Sequence, residues 1–376
     1  MIKKACLALL FCIVFINCEA QRQQKFDIAF LLDLSGSTNG LLNDFRNNYY
    51  FMLNELQSMK PAPEVRFAVI TYGRPSFGRN NNYVKIAHNF TQDFDLIQYD
   101  LIQLRTSVER GNQYVGDALL TAIRDLQWSE DNSTIKLIYL IGNGMTNTNM
   151  AINNEKVAEE AVEKNIKVNA FYVTNGSKFL KELIGWKSIA ENTNGIYADA
   201  GINRKQPVPQ LVINYEELNR INNDYNSSFI TFNETSAERL EMNNAIDKYH
   251  KNVGGYSFED RVFYKTTKYY ENSTSSWDLI SAGYKQYIDV LNLDSIYLPQ
   301  ECQKMDKEKL KVVINFKRVE RNKFKNQALN FTGGKARHEV LNEKLAEMQL
   351  DKTNTLARVI INTLRDVAEI NGIKNP

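Results

Sequence analysis

Apolar runs and amphipathic stretches alternate along the first two hundred residues of the chain. The run at 26–32 is almost unbroken, which is typical of a parallel strand that is buried on both faces. Further strands are predicted at 65–72, 83–90, 135–141, 166–173 and 195–197. Apolar residues at helical spacing predict helices between them, at 42–56, 94–104, 117–128, 155–164 and 179–192. Strands that alternate with helices predict an α/β fold with a doubly wound, mainly parallel sheet.

The remainder, residues 203–376, has a different pattern. Two prolines within 206–209 mark a linker. Lys, Arg and Glu mix around several apolar residues at 304–325, which favours a solvated helical face over a nucleic-acid-binding patch. A further amphipathic helix is predicted at 356–367, with Thr353 as a possible cap, and another precedes it. We expect a mostly helical C-terminal region, either as one compact domain or as an extended appendage.

The first twenty residues have the composition of a secretory signal peptide. Lys3 and Lys4 form a charged start, and an apolar stretch follows at 5–16. Removal of residues 1–20 on export would make the protein secreted, periplasmic or part of the cell envelope. Lipid attachment at Cys18 is the alternative, although the sequence before it lacks the small residue that such a site normally has.

Composition and charge argue against several classes of function. A formal net charge of +2 gives no electrostatic case for nucleic acid or a membrane surface. No later segment approaches the about 18 consecutive apolar residues of a transmembrane helix. Cys302 is the only cysteine beyond the signal, so we expect no internal disulfide framework. The histidines (His88, His250 and His338) are scattered and no nucleophile or nucleotide motif is present, so we expect no enzyme.

Three oxygen-bearing side chains follow the first predicted strand where it ends. Asp33, Ser35 and Ser37 occupy alternate positions of the sequence Asp-Leu-Ser-Gly-Ser. Ligands of open α/β sheets bind at the carboxyl ends of strands, and a carboxylate with two hydroxyls suits a hard cation such as Mg²⁺. The alternative is a polar loop in which Ser37 or Thr38 caps the next helix.

An apolar strand followed by Asp-x-Ser-x-Ser resembles the von Willebrand factor A (integrin I-like) family, in which this motif begins a metal-ion-dependent adhesion site. The order of predicted elements is similar to that family over residues 25–202. Trp186, Ile189 and Ala190, before the last strand, make the chain most similar to secreted bacterial members. The resemblance implies a protein-binding domain whose partner supplies an acidic residue to a bound cation.

Two further ligands of the family site are replaced in this chain. Gln113 stands where the family has a Thr in a Gly-rich turn, and Asn143 stands where it has an Asp at the end of a later strand. Both keep an oxygen that can coordinate, but Asn143 removes a negative charge. The resemblance therefore implies either a weak Mg²⁺ or Mn²⁺ site made of Asp33, Ser35, Ser37, Gln113 and Asn143, or a domain without metal.

Two functions remain open at this point. The first is adhesion-type binding of a protein through the weak metal site. The alternative is a metal-free scaffolding protein of the cell envelope that acts through its charged C-terminal helices. The two differ in whether Gln113 and Asn143 can complete a cation site.

Overall fold

The computed structural model of the protein describes residues 23–104, 109, 114–147, 149, 152–174, 179–202, 214–284, 293–332, 342, 343, 346, 349, 350 and 353–376. The predicted signal peptide, the linker at 206–209 and Gln113 lie outside these residues. So do Val340, Leu341, Leu345 and Met348, which mark the amphipathic helix predicted before 356.

A central sheet organises the described residues. Its strands are β1 (Lys25–Asp33), β2 (Glu64–Tyr72), β3 (Val84–Thr91), β4 (Ile135–Gly142), β5 (Ile166–Thr174) and β6 (Tyr197–Gly201). They lie in the order β3-β2-β1-β4-β5-β6. The pairs are parallel except at one edge, where β3 runs antiparallel to β2. The predicted α/β class with a doubly wound, mainly parallel sheet is confirmed.

The helices flank this sheet and form most of the C-terminal region. They are α1 (Leu41–Asn47), α2 (Tyr49–Ser58), α3 (Phe94–Gln103), α4 (Val115–Asp125), α5 (Asn154–Glu163), α6 (Leu180–Asn192), α7 (Tyr215–Asn226), α8 (Ser236–Val253), α9 (Gly255–Tyr264), α10 (Lys268–Thr274), α11 (Leu279–Tyr284), α12 (Lys307–Phe331) and α13 (Leu356–Ile370). Two short strands, β7 (Gln349–Leu350) and β8 (Thr353–Asn354), pair antiparallel before α13. None of the helices among the described residues is long and apolar enough to cross a membrane.

The single helix predicted at 42–56 is interrupted. Asn48 separates α1 from α2, and its side-chain amide donates to the backbone carbonyl of Asp44 at 2.8 Å and to the Asp44 carboxylate at 2.9 Å. Asparagine competes in this way with the helical backbone pattern. Hydrophobic spacing alone does not reveal such a break because both helices present apolar residues to the same core.

Two hydrophobic layers cover the sheet. Along β1, Ile28, Phe30 and Leu32 belong to the core that contains α1, α2, α3 and α13, whereas Ala29 and Leu31 belong to the core that contains α4, α5 and α6. Successive side chains of a strand point to opposite faces. The unbroken apolar run therefore reflects a strand that is buried on both sides.

The last helix of the chain packs on the sheet. Leu356, Ile360 and Leu364 of α13 are buried in the same core cluster as β1. The Thr363 hydroxyl donates a hydrogen bond to the Tyr139 hydroxyl of β4 at 3.2 Å. Packing thus continues across residue 202, the predicted end of the first domain.

The N-terminal cap of α13 differs from the prediction. The Thr355 hydroxyl accepts a hydrogen bond from the backbone N–H of Arg358 at 3.3 Å, whereas the predicted cap, Thr353, lies in β8. The sequence Thr-Asn-Thr offers two threonines within one turn, and spacing alone did not select between them.

A buried ionic network joins helices α8 and α9 of the C-terminal region to α3, which flanks the sheet. The fully buried guanidinium of Arg261 on α9 binds both carboxylate oxygens of Asp95 on α3, at 2.7 and 2.9 Å, and donates to Asp247 on α8 at 2.8 Å. Lys265 also pairs with Asp247. Bidentate arginine–carboxylate pairs of this kind have a specific geometry, so this pair fixes the orientation of α9 relative to α3.

The charged stretch at 304–325 is only partly a solvated face. Arg321 of α12 is buried and pairs with the buried Asp278, and its Nε donates to the Ser228 hydroxyl at 2.8 Å. The prediction of a solvated face is therefore wrong at Arg321. Its partner is distant in sequence, so a local pattern of charges does not reveal the pair.

Candidate metal centre

Asp33 lies at the carboxyl end of β1 and is fully buried. Its carboxylate accepts hydrogen bonds from the backbone N–H of Ser35 at 2.8 Å and of Asn143 at 3.4 Å. Burial raises the pKa of Asp33 to about 7, although these hydrogen bonds act in the opposite direction. Both donors are neutral, so a cation beside this carboxylate would stabilise its charged form.

Three more oxygens lie beside this carboxylate. The hydroxyls of Ser35 and Ser37 are 2.9 Å apart, and the Ser37 hydroxyl donates to the side-chain oxygen of Asn143 at 2.7 Å. Asn143 immediately follows β4, which is the neighbour of β1 in the sheet. The structure therefore brings together Asp33, Ser35, Ser37 and Asn143, four of the five residues that the sequence analysis assigned to the site.

The loop that carries the serines is held by Thr38. Its hydroxyl donates to the backbone carbonyls of Asp33 at 2.8 Å and Ser35 at 3.0 Å. The next helix, α1, begins after Gly40 without a side-chain cap. The alternative in which Ser37 or Thr38 caps that helix is therefore wrong.

Two glycines leave room for the Asp33 carboxylate. A Cβ on Gly73 would lie 2.7 Å from one carboxylate oxygen, and a Cβ on Gly142 would lie 2.5 Å from the Asp33 Cβ and 3.0 Å from the other oxygen. Gly73 also has a φ of +85°, which other residues rarely adopt. Gly73, which follows β2, and Gly142, the last residue of β4, thus accommodate Asp33 because they lack a side chain.

Helix α6 holds the backbone after Asn143. Glu182 accepts hydrogen bonds from the backbone N–H of Gly144 at 3.0 Å and from the Tyr172 hydroxyl at 2.6 Å, and the indole of Trp186 donates to the Gly144 carbonyl at 2.9 Å. In the sequence, Trp186 is recognisable only through the resemblance to secreted bacterial members, and nothing there points to Glu182. The carboxylate contacts a backbone N–H distant in sequence, and no local motif signals such a contact.

The segment before α4 also contributes to the centre. The backbone N–H of Gly36 donates to the carbonyl of Glu109 at 3.0 Å, which ties the serine loop to this segment. The Glu109 carboxylate binds the backbone N–H and the hydroxyl of Ser76, at 3.0 and 2.7 Å. Glu109 was also missed, because its contact with the loop is made by backbone atoms.

The donor set is rich in oxygen and poor in charge. Among the described residues, no group of three or more His, Cys, Asp and Glu side chains converges on one point. Carboxylates and neutral oxygens are ligands that Mg²⁺ and Mn²⁺ accept, whereas sites for softer metals use thiolate or imidazole. The chemistry of the centre therefore favours a hard cation.

Comparison with known proteins agrees with this architecture. Residues 27–199 match the family model described as the von Willebrand factor type A domain. No curated protein sequence matches the chain.

Solved structures also resemble the chain. Proximal thread matrix protein 1 from the mussel byssus is 19% identical, with a TM-score of 0.36, and the match covers 48% of this chain and 42% of that protein. An aerotolerance-related membrane protein from Bacteroides fragilis is 15% identical, with a TM-score of 0.33, and the match covers 46% of this chain and 90% of that one. The chain thus spans less than half the length of the mussel protein, and at these TM-scores the family assignment rests on the sequence match.

The family match runs from residue 27 in β1 to residue 199 in β6 and includes the loop that carries Asp33, Ser35 and Ser37. Domains of this family generally mediate protein–protein interaction or adhesion. Residues 27–199 of this chain are a von Willebrand factor type A domain.

Proposed function

We propose that this domain binds a protein partner through a Mg²⁺ or Mn²⁺ ion at the candidate metal centre. Asp33, Ser35 and Ser37 would hold the cation, Asn143 would support it, and an acidic side chain of the partner would take an open position. The observation that carries the proposal is the pair of hydroxyls beside a buried carboxylate that has neutral donors as its neighbours.

The spacing of the hydroxyls fits this cation. Mg²⁺ binds oxygen at about 2.0–2.1 Å in octahedral geometry, so two ligands at right angles lie roughly 2.9 Å apart. Ser35 Oγ and Ser37 Oγ are 2.9 Å apart without rearrangement. This spacing, which the hydroxyls keep as a hydrogen-bonded pair, is also compatible with two neighbouring ligands of one cation.

The charge of the centre predicts weak binding. Asn143 stands where a second carboxylate would help to dehydrate the ion, and Mg²⁺ gives up its water reluctantly. A partner's Asp or Glu would add the missing negative charge. Cation and partner should therefore bind cooperatively, and each should bind poorly alone. We assign the centre a binding role without a chemical step, in a protein that reaches the envelope or the exterior.

A metal titration tests the proposal. Thermal unfolding of the protein is followed with increasing Mg²⁺ or Mn²⁺, because a ligand that binds the folded state raises the midpoint. Asn143→Asp should bind at least about tenfold more tightly than the wild type, since it restores a carboxylate. Asp33→Ala should abolish the response.

Asp125→Ala is the matched control, because it removes an exposed carboxylate at the end of α4. This variant should respond to the metal as the wild type does. No rise in the midpoint at millimolar metal, in either the wild type or Asn143→Asp, would contradict the proposal.

A further inference from the structure

Helix α12 exposes an apolar stripe. Val312, Phe316 and Val319 leave 67%, 59% and 69% of their surface accessible. Their spacing of four and three residues places them on one side of the helix. Contiguous apolar residues on a soluble domain commonly mark an interaction surface.

The opposite side of α12 is fixed in the molecule. Leu310 and Ile314 are buried in a hydrophobic cluster with α11. Further along, Arg321 is buried in its ion pair with Asp278. The helix cannot rotate to hide the stripe without breaking these contacts, so the stripe faces outward as a consequence of the fold.

The stripe has opposite charges at its two ends. Glu308 lies four residues before Val312, and Lys323 lies four residues after Val319. Both are exposed; Glu308 has 81% of its side chain accessible and makes an ion pair with Lys311 of its own helix. The two valines, and likewise Glu308 and Lys323, thus lie at equal distances from the middle of the stripe near Phe316, and the two end residues carry opposite charges.

We propose that the stripe of α12 is a self-association surface on which two copies of the chain pack their α12 helices antiparallel. A two-fold axis near Phe316 would place Val312 opposite the partner's Val319 and Glu308 opposite the partner's Lys323. A parallel pair would place like charges together. A two-fold contact uses the same patch on both copies, as this symmetric pattern requires.

We expect the interface between the two α12 stripes to be small and non-covalent. The neutral side chains of Asn315 and Asn326 are exposed on the same side, so they add no like-charge repulsion. Cys302, near the start of α12, is buried and its thiol is unpaired, so we do not expect it to cross-link the copies. One helix from each copy buries less than a standard interface, and dimerisation should therefore depend on concentration.

Sedimentation equilibrium of the full chain in EDTA tests the proposal without involving the metal centre. The wild type should dimerise as its concentration rises. Phe316→Asp should weaken the dimer at least about tenfold, because the carboxylate would be buried against the partner. Ile296→Asp is the matched control, because Ile296 is 69% exposed but lies outside the stripe; it should dimerise as the wild type does.

A charge exchange tests the direction of the helices. Glu308→Lys and Lys323→Glu should each weaken the dimer, and the double variant should recover it, because an antiparallel pair again places opposite charges together. In a parallel pair each position would face its own copy, so like charges would meet in the wild type and in every variant, and neither single exchange would weaken the dimer. Far-UV circular dichroism confirms that each variant is folded.

Three outcomes would overturn the proposal. One is a wild type that stays monomeric at all concentrations, as expected if another segment of the chain covers the stripe. The second is a dimer that Phe316→Asp leaves intact, and the third is a charge exchange without recovery in the double variant.

Discussion

Proton binding at Asp33 is coupled to folding. Burial raises its pKa to about 7 in the folded chain, from an ordinary value of 3.8. Between these pH values the folded state holds more protons than the unfolded state, so the free energy of unfolding falls as the pH rises. The loss is complete above about pH 7. A bound cation would oppose it, because it stabilises the carboxylate and competes with the proton.

We expect Asp33→Asn to remove this pH dependence. Without divalent cation, the wild type should lose up to about 4 kcal/mol of unfolding free energy relative to the variant between about pH 4 and pH 8. Urea unfolding in EDTA at several pH values measures the difference. Asp125→Asn should show the same pH dependence of the unfolding free energy as the wild type. A difference in unfolding free energy between the wild type and Asp33→Asn that stays constant with pH would contradict the expectation.

At the scale of elements, a buried ion pair contributes to the orientation of α12. Arg321 and Asp278 are both buried, and removing one member of such a pair leaves the other charge without compensation. We expect Arg321→Met to destabilise the protein by about 3–5 kcal/mol. Chemical denaturation measures this loss.

An exposed arginine provides the comparison for that variant. Arg220 on α7 pairs with Glu217 and Asp224 at 2.6 and 2.7 Å, but half of its side chain is accessible. Exposed ion pairs contribute little to stability because water screens them, so Arg220→Met should have little effect. Equal losses in the two variants would show that burial of the Arg321 pair is unimportant.

Elements were predictable to different degrees. The strand at 26–32 was predictable because a parallel strand covered on both faces needs apolar residues at nearly every position. The break at Asn48 was not, because it depends on a side-chain hydrogen bond within an otherwise regular pattern. The burial of Arg321 was not predictable either, because its partner Asp278, which immediately precedes α11, is distant in sequence.

The same reasoning applies to the metal centre. Asp33, Ser35 and Ser37 were predictable from a motif that lies within one loop, and Asn143 followed from the resemblance of a later strand end to the family. Glu182 and Glu109 act on backbone atoms of segments distant in sequence. Any residue type with suitable reach could occupy such positions, so the local sequence carries no signal for them.

At the scale of the whole molecule, the core of the von Willebrand factor type A domain includes α13. Buried residues of α13 share a core cluster with β1. We therefore expect a chain that ends at residue 202 to expose the part of this core that α13 covers and to unfold or aggregate. The full chain should show one cooperative transition by calorimetry.

Point variants of α13 separate packing from chain length. Ile360 is fully buried and Ile370 is 79% exposed on the same helix. Ile360→Ala should cost about 2–5 kcal/mol, whereas Ile370→Ala should stay within about 0.5 kcal/mol. A stable, cooperatively folding chain ending at residue 202, or equal effects of the two substitutions, would contradict a structural role for α13.

The placement of α13 also bears on how the protein is made. β6 ends at Gly201 and the helix that covers its layer begins at Leu356, so closing that layer joins segments far apart in sequence. Such contacts raise the contact order and slow folding, because the chain entropy is lost before the contacts form. During synthesis α13 emerges after all six strands of the sheet. The part of the layer that α13 covers therefore stays open until this helix has emerged, and chaperones can bind it in that interval.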